Sequence, residues 1–298
     1  MPAGDPAEFA PNKSVPGDNI AAMISSGPDA GRFDTHGWLS GARQQLVRGT
    51  WMPGSAPSDT IEDTNAIVDG KTIAQWTEGW WNWLYHSPSD QNPLTDTTGK
   101  FATENNTGPV FFLTGAFVAD PSQPPVERYF DVPRNTPVLL PMVNFGATPT
   151  APLIAPNGYP YQSPNGRGSS NAIRSAENRA IQQLYGSVTN AFATIDGTPV
   201  TNPFADRVNT SFFSMGTAQA GTVATDFFGE VAGASLDPVK SGGYWLMLKN
   251  LSPGDHTLTF GGSIAGVPNM AGTYDPSTGR AIDYPAYSLG VIDHIHVA

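Results

Sequence analysis

The rhythm of apolar and polar positions divides the chain near residue 60. Residues 1–60 are rich in Pro, Gly, Ser and Asp and show little periodicity. Such a segment cannot bury a core of its own, so it is expected to form an extended N-terminal arm docked on the following domain. Ile20–Ile24 and a short helix over Trp38–Val47 would be its anchors. Beyond residue 60 the periods sharpen. Lys71–His86 reads as a helix because Ile73, Trp76, Trp80, Trp83 and Leu84 recur at helical spacing, and Pro88 stops it. A second helix is expected over about Asn171–Ala193, where Ile173, Ala176, Ala180, Leu184, Val188 and Phe192 trace one stripe.

The remaining apolar segments have strand character. They are Val110–Val118, Glu127–Val132, Val138–Phe145, Val208–Ser214, Thr222–Val231 and a closing strand at Leu289–Val297. Val138–Phe145 is apolar on both faces, as a central strand should be. Two hairpins are expected: one around Asp196-Gly197, and one joining Tyr244–Leu248 to His256–Phe260 through Asn250–Gly254. About nine short strands separated by turn signals predict a mainly β fold. The specific expectation is a two-sheet sandwich or jelly roll over residues 61–298, with two inserted helices.

Composition agrees with this and excludes several functions. Gly 32 and Pro 28 in 298 residues mean many turns, and charged residues are only 14%. A net charge of −11 with five lysines argues against nucleic acid and against anionic membrane surfaces. There is no cysteine, hence no disulfide and no thiolate metal site. No apolar run reaches the ~18 residues of a membrane-spanning helix. The first residues have neither the basic nor the apolar stretch of a signal peptide.

Several strings carry a resemblance. They are Trp76 with Trp80-Trp81-Asn82-Trp83, Asn92-Pro93-Leu94-Thr95-Asp96-Thr97-Thr98-Gly99, and Gly108-Pro109-Val110-Phe111-Phe112-Leu113. Asp131-Val132-Pro133, Leu140-Pro141-Met142-Val143-Asn144 and Ile195-Asp196-Gly197 follow, then Tyr244–Leu248 and Leu251–Gly262. Over residues 70–298 the chain resembles a group of uncharacterised exported bacterial β-sandwich proteins with no established activity. Members of that group often carry a cysteine pair, which this chain lacks. The resemblance implies an extracellular or cell-envelope location and a single domain, and no chemistry.

Four sets of residues are candidates for chemistry, each with a plainer reading. His294 and His296 alternate on one strand, so both imidazoles share a face and could hold a transition metal; the plain reading is a solvated strand end. His256 should point to the opposite, core-facing side. Asp90, Asn92 and Asp96 place hard oxygens in one loop and suit Ca²⁺, or they cap turns. Trp81 and Tyr85 lie off the core stripe of their helix and could stack a sugar ring, or be covered by Trp38 and Trp51 of the arm. Glu78 beside the tryptophans is the carboxyl best placed for a raised pKa and a catalytic role, with Glu104, Glu127 and Glu230 as further carboxyls; its plain reading is a surface helix residue. The nucleophile-elbow, zincin, P-loop and dinucleotide signatures are absent. The expectation is an exported, non-enzymatic surface, matrix or glycan-binding protein, steadied by calcium, whose partners are glycans or other copies of itself through the arm. The alternative is a polysaccharide-active enzyme with a carboxylate pair in a cleft, and a third reading is a metal-dependent enzyme using His294 and His296.

Overall fold

The computed structural model describes residues 59–116, 125–149, 170–270, 283–284 and 286–298. The N-terminal arm, its anchors and its two tryptophans lie outside the described residues, apart from 59 and 60, as does the end of the apolar run at 117–118. Within them the fold is mainly β. The strands are β1 (Ile67–Val68), β2 (Lys71–Thr72), β3 (Phe111–Phe112), β4 (Val126–Val132), β5 (Val138–Ala147), β6 (Val188–Ile195), β7 (Thr198–Pro199), β8 (Arg207–Asn209), β9 (Lys240–Leu248), β10 (Gly254–Ile264) and β11 (Tyr287–Val297). The helices are α1 (Ile73–His86), α2 (Ser170–Ser187) and the single turn α3 (Val223–Asp226).

A five-stranded sheet runs β4-β11-β10-β6-β7 and a four-stranded sheet β3-β5-β9-β8; β1 and β2 pair separately. Both larger sheets are mixed, because β11 pairs β4 and β3 pairs β5 in parallel while the other pairs are antiparallel. Leu140, Phe145, Leu246 and Leu248 of one sheet share an apolar cluster with Ile195, Leu258, Phe260, Val291 and Ile295 of the other, and with Ile181 and Leu184 of α2. A second cluster joins Leu139, Trp245 and Met247 to Trp76, Trp80 and Leu84 of α1 and to Val223 and Ala224 of α3. The four-stranded sheet is therefore covered on both faces, which is why β9 is buried at every residue. Pro141 sits inside central β5, where the ladder slips between Pro141 and Val143; the bulge absorbs the missing N–H.

α1 begins as its sequence dictates. The Thr72 hydroxyl accepts the Gln75 N–H at 3.2 Å and the Gln75 side chain accepts the Thr72 N–H at 2.9 Å, a reciprocal cap. It ends at Ser87, extended ahead of Pro88. The expected stripe is only part of its buried surface. Trp83 is half-buried, while Trp81 and Tyr85 are buried because α1 has partners on two sides.

Four other expectations are corrected. Tyr244–Leu248 and His256–Phe260 do not form a hairpin: β9 is paired on both edges by β5 and β8, and β10 by β6 and β11, so residues 249–253 turn the chain from one sheet to the other. The second helix stops at Ser187, and Val188 and Phe192 belong to β6, a segment with β-branched residues at both ends. Thr222–Val231 is not a strand; a cap between Thr222 and Thr225 starts α3 there instead. Val208–Ser214 pairs only at its start and at an isolated bridge from Phe213 to Val239. The hairpin around Asp196-Gly197 is present, with φ of 50° and 76° at the two turn residues.

Candidate functional site

Alternation along β4, β11 and β10 gives the five-stranded sheet two different faces. Val291, Ile295 and Val297 point into the shared core, with Phe130 and Val132 beside them. The opposite face carries the apolar Ile292 and Phe192, but its far end along β4, β11 and β10 is polar. Tyr129, His294 and Thr257 form one row across three strands, and Asp131, His296 and Asp255 form the next. Tyr129 is 63% exposed. Its ring lies flat on the His294 imidazole, centroids 4.5 Å apart and planes 13° apart. The Tyr129 hydroxyl donates to Glu127 Oε2 at 3.3 Å, and the same oxygen lies 3.2 Å from His294 Nε2. His294 Nδ1 is 3.3 Å from the Thr257 hydroxyl, and His296 Nδ1 is 2.6 Å from Asp255 Oδ1. Desolvation and the Glu127 carboxylate hold the Tyr129 hydroxyl above its ordinary pKa, so it keeps its proton.

β4 is an edge strand, and the loop at residues 92–101 protects it. The Tyr129 N–H donates to the Thr98 carbonyl at 3.1 Å. Gly99, with φ of 90°, lies so close that a Cβ there would meet the Tyr129 carbonyl oxygen at 2.7 Å. On the inner side, Arg128 and Asp293 form a buried bidentate pair at 2.7 and 2.8 Å. Arg128 also donates to the Pro93 and Thr114 carbonyls, which fastens the same loop beneath the strand. Tyr129 is thus presented from a backbone fixed on both sides.

The residues singled out from sequence fall as follows. His294 and His296 share the outer face and His256 faces inward, as alternation required. Each of the three pairs with a carboxylate: Glu127, Asp255 and Asp196 respectively. Among the described residues no group of three or more His, Asp or Glu side chains is arranged to hold a metal ion. Asn92 accepts the Leu94 N–H at 2.9 Å. Asp96 accepts the Thr98 and Phe101 N–H groups, each at 2.8 Å, and the Thr98 hydroxyl. Burial pushes the Asp96 carboxyl up, but these donors outweigh it and hold the group below its usual range. Asp90 is exposed.

Trp81 and Tyr85 form no surface platform. Trp81 packs on Gly146 and edge-on against Trp80, with its indole N–H unpartnered; Tyr85 stacks on Phe228 at 4.7 Å. Burial and the nearby Glu230 carboxylate drive the Tyr85 hydroxyl well above its ordinary pKa. Glu78 is half-buried and its pKa is raised by desolvation, yet the charges acting on it are Lys240 and Lys71, both opposing the shift. Among the described residues no carboxylate is among the charges that act on it.

The residues that sequence reasoning missed are Tyr129, Asp131 and Asp255, together with the place of Glu127 beside them. The alternation within Glu127–Val132 contained part of the signal, since it turns Glu127, Tyr129 and Asp131 to one side. Chemically the face offers a flat aromatic ring bordered by hydrogen-bond acceptors. No known family model, curated protein or solved structure matches this chain.

Proposed function

We propose that this chain is an exported, non-enzymatic glycan-binding protein that receives sugar on the outer face of its five-stranded sheet. The observation that carries the reading is Tyr129, exposed on the edge strand β4 among polar neighbours and held flat by His294. A sugar ring has an apolar face of C–H groups and a rim of hydroxyls. The first stacks on an aromatic plane, and the second donates to carboxylates such as Glu127, Asp131 and Asp255. The extracellular or cell-envelope setting is part of the proposal and rests on the resemblance read in the sequence of residues 70–298. The core shared by the two larger sheets supports reading them as the layers of a sandwich, the scaffold on which such a face would stay flat.

The test is a glycan array followed by titration of the best binder against wild type and Tyr129→Ala. Loss of one stacking residue, worth about 1.5 kcal/mol with its buried area, should weaken binding about tenfold. An array with no binder, or a variant that binds as wild type does, refutes the proposal.

A further inference from the structure

The inner side of α2 holds a carboxylic acid that no group among the described residues receives by a hydrogen bond. Glu177 is 0% exposed, and neither of its carboxyl oxygens has a hydrogen-bond partner. It lies one turn before Ala180 and Ile181 on the buried side of the helix, which packs on β5 and β9. Among the described residues, the cations of α2 and of the strands beside it are engaged elsewhere. Arg174, on the same helix, lies over Phe212 at 4.6 Å, and Arg179 donates to Ser175. Lys240 of β9 donates to the Thr210 carbonyl, and Arg207 lies over the Tyr185 ring and reaches Gln182. β5 and β6 carry no ionisable side chain. An unpartnered carboxylate in such a place sheds its charge by keeping its proton. Burial pushes Glu177 up to about 8, opposed only by Arg174.

The other half of α2 is tied down. The Tyr185 hydroxyl donates to the Val208 carbonyl and accepts the Gly243 N–H at 2.9 Å. Its ring lies against Gly242, where an added Cβ would come within 2.7 Å of the hydroxyl oxygen. Ile181 and Leu184 are fully buried beside it.

We propose that α2 is a proton-held latch: while Glu177 is neutral the first half of the helix stays seated on β5 and β9, and loss of that proton lifts this half while Tyr185 holds the rest. The sign follows from linkage. In the lifted state Glu177 regains its ordinary pKa near 4.5, so the seated state binds the proton more tightly. Seating is strongest below that value, weakens as pH rises, and reaches its weakest level above about 8.

Amide hydrogen exchange, corrected for the intrinsic base-catalysed rate, reads the latch directly in the full chain. Between pH 5 and 8 the opening of residues 170–180 should rise by up to about tenfold per pH unit and then level off. Residues 181–187 should not follow. Glu177→Gln should flatten the pH dependence of the first half. A carbon-13 carboxyl titration of the wild type, which needs no variant, should show one glutamate titrating near pH 8. The proposal is overturned if every glutamate titrates in the ordinary range, if Glu177→Gln keeps the wild-type pH dependence, or if both halves open together.

Discussion

Asp293→Asn removes one charge from the interior and leaves its partner behind. Arg128 and Asp293 are 2% and 0% exposed, so water cannot replace the lost carboxylate. Burial pushes the Asp293 carboxyl up, and the Arg128 guanidinium pulls against that shift. In the variant the guanidinium keeps its bonds to Pro93 and Thr114 but has no counter-charge. Breaking such a pair by removing one partner costs about 3–5 kcal/mol. Arg128→Met should cost a similar amount, because it strands the carboxylate instead. Replacing both residues, as Arg128→Met with Asp293→Leu, removes both desolvation penalties together. What remains is the Thr114 carbonyl, which loses its 2.7 Å donor at a cost of about 1–3 kcal/mol. The Pro93 carbonyl keeps the Thr114 hydroxyl at 3.2 Å. The double variant should therefore be more stable than either single one, with a coupling of at least about 3 kcal/mol. Urea unfolding followed by tryptophan fluorescence measures all four proteins. If the double variant loses the sum of the single losses, Arg128 and Asp293 do not act as a closed pair.

Two further outcomes follow from the geometry. His256 stands between two acceptors, Asp196 Oδ2 and the Ser252 carbonyl, each at 2.8 Å, and both are satisfied only when both ring nitrogens carry protons. Burial lowers its pKa, but these partners outweigh it and raise the group above 6.5. Its stabilisation is complete below pH 6.5 and is lost as pH rises through the higher folded value. Wild type should therefore exceed His256→Gln by about 1 kcal/mol at pH 5.5, a modest figure because Asp196 is half exposed, and by little at pH 9, as measured by thermal melts at both. Gly99→Ala combines a positive φ with a 2.7 Å approach to backbone and should cost about 2 kcal/mol in urea unfolding. A loss under 0.5 kcal/mol, the usual range for a surface change, would mean that the loop does not press on β4.

The elements legible in the sequence were those whose period is local. α1, β4, β5, the Asp196-Gly197 hairpin and β11 each follow from spacing within about ten residues. The failures have a common cause. Nothing local distinguishes the β9–β10 corner from a hairpin, because a five-residue link permits both; the choice is made by β5, β8, β6 and β11 occupying the four edges. Val188 and Phe192 continue the stripe of α2, so helical spacing concealed the start of β6. A stripe likewise cannot reveal that α1 is covered on two sides, which is what buried Trp81 and Tyr85. His294 and His296 were placed on the correct face. Tyr129 escaped notice because its neighbour across the sheet, His294, is 165 positions away, and a parallel pairing of that span leaves no trace in either segment.

That same pairing bears on how the chain finds its structure. β4 waits for β11 before it has any ladder of its own, and the chain passes between the two larger sheets after β3, after β4, through α2, after β7 and again after β9. Few contacts can therefore form early from nearby residues, and each long loop must be closed before its contacts repay the lost entropy. Assembly belongs to the slow class, on the order of milliseconds to seconds. Until β11 arrives, β4 exposes the edge that β11 will pair and the aromatic side chains on either side of it, so the nascent chain is most vulnerable to misassociation at the strand that later presents Tyr129.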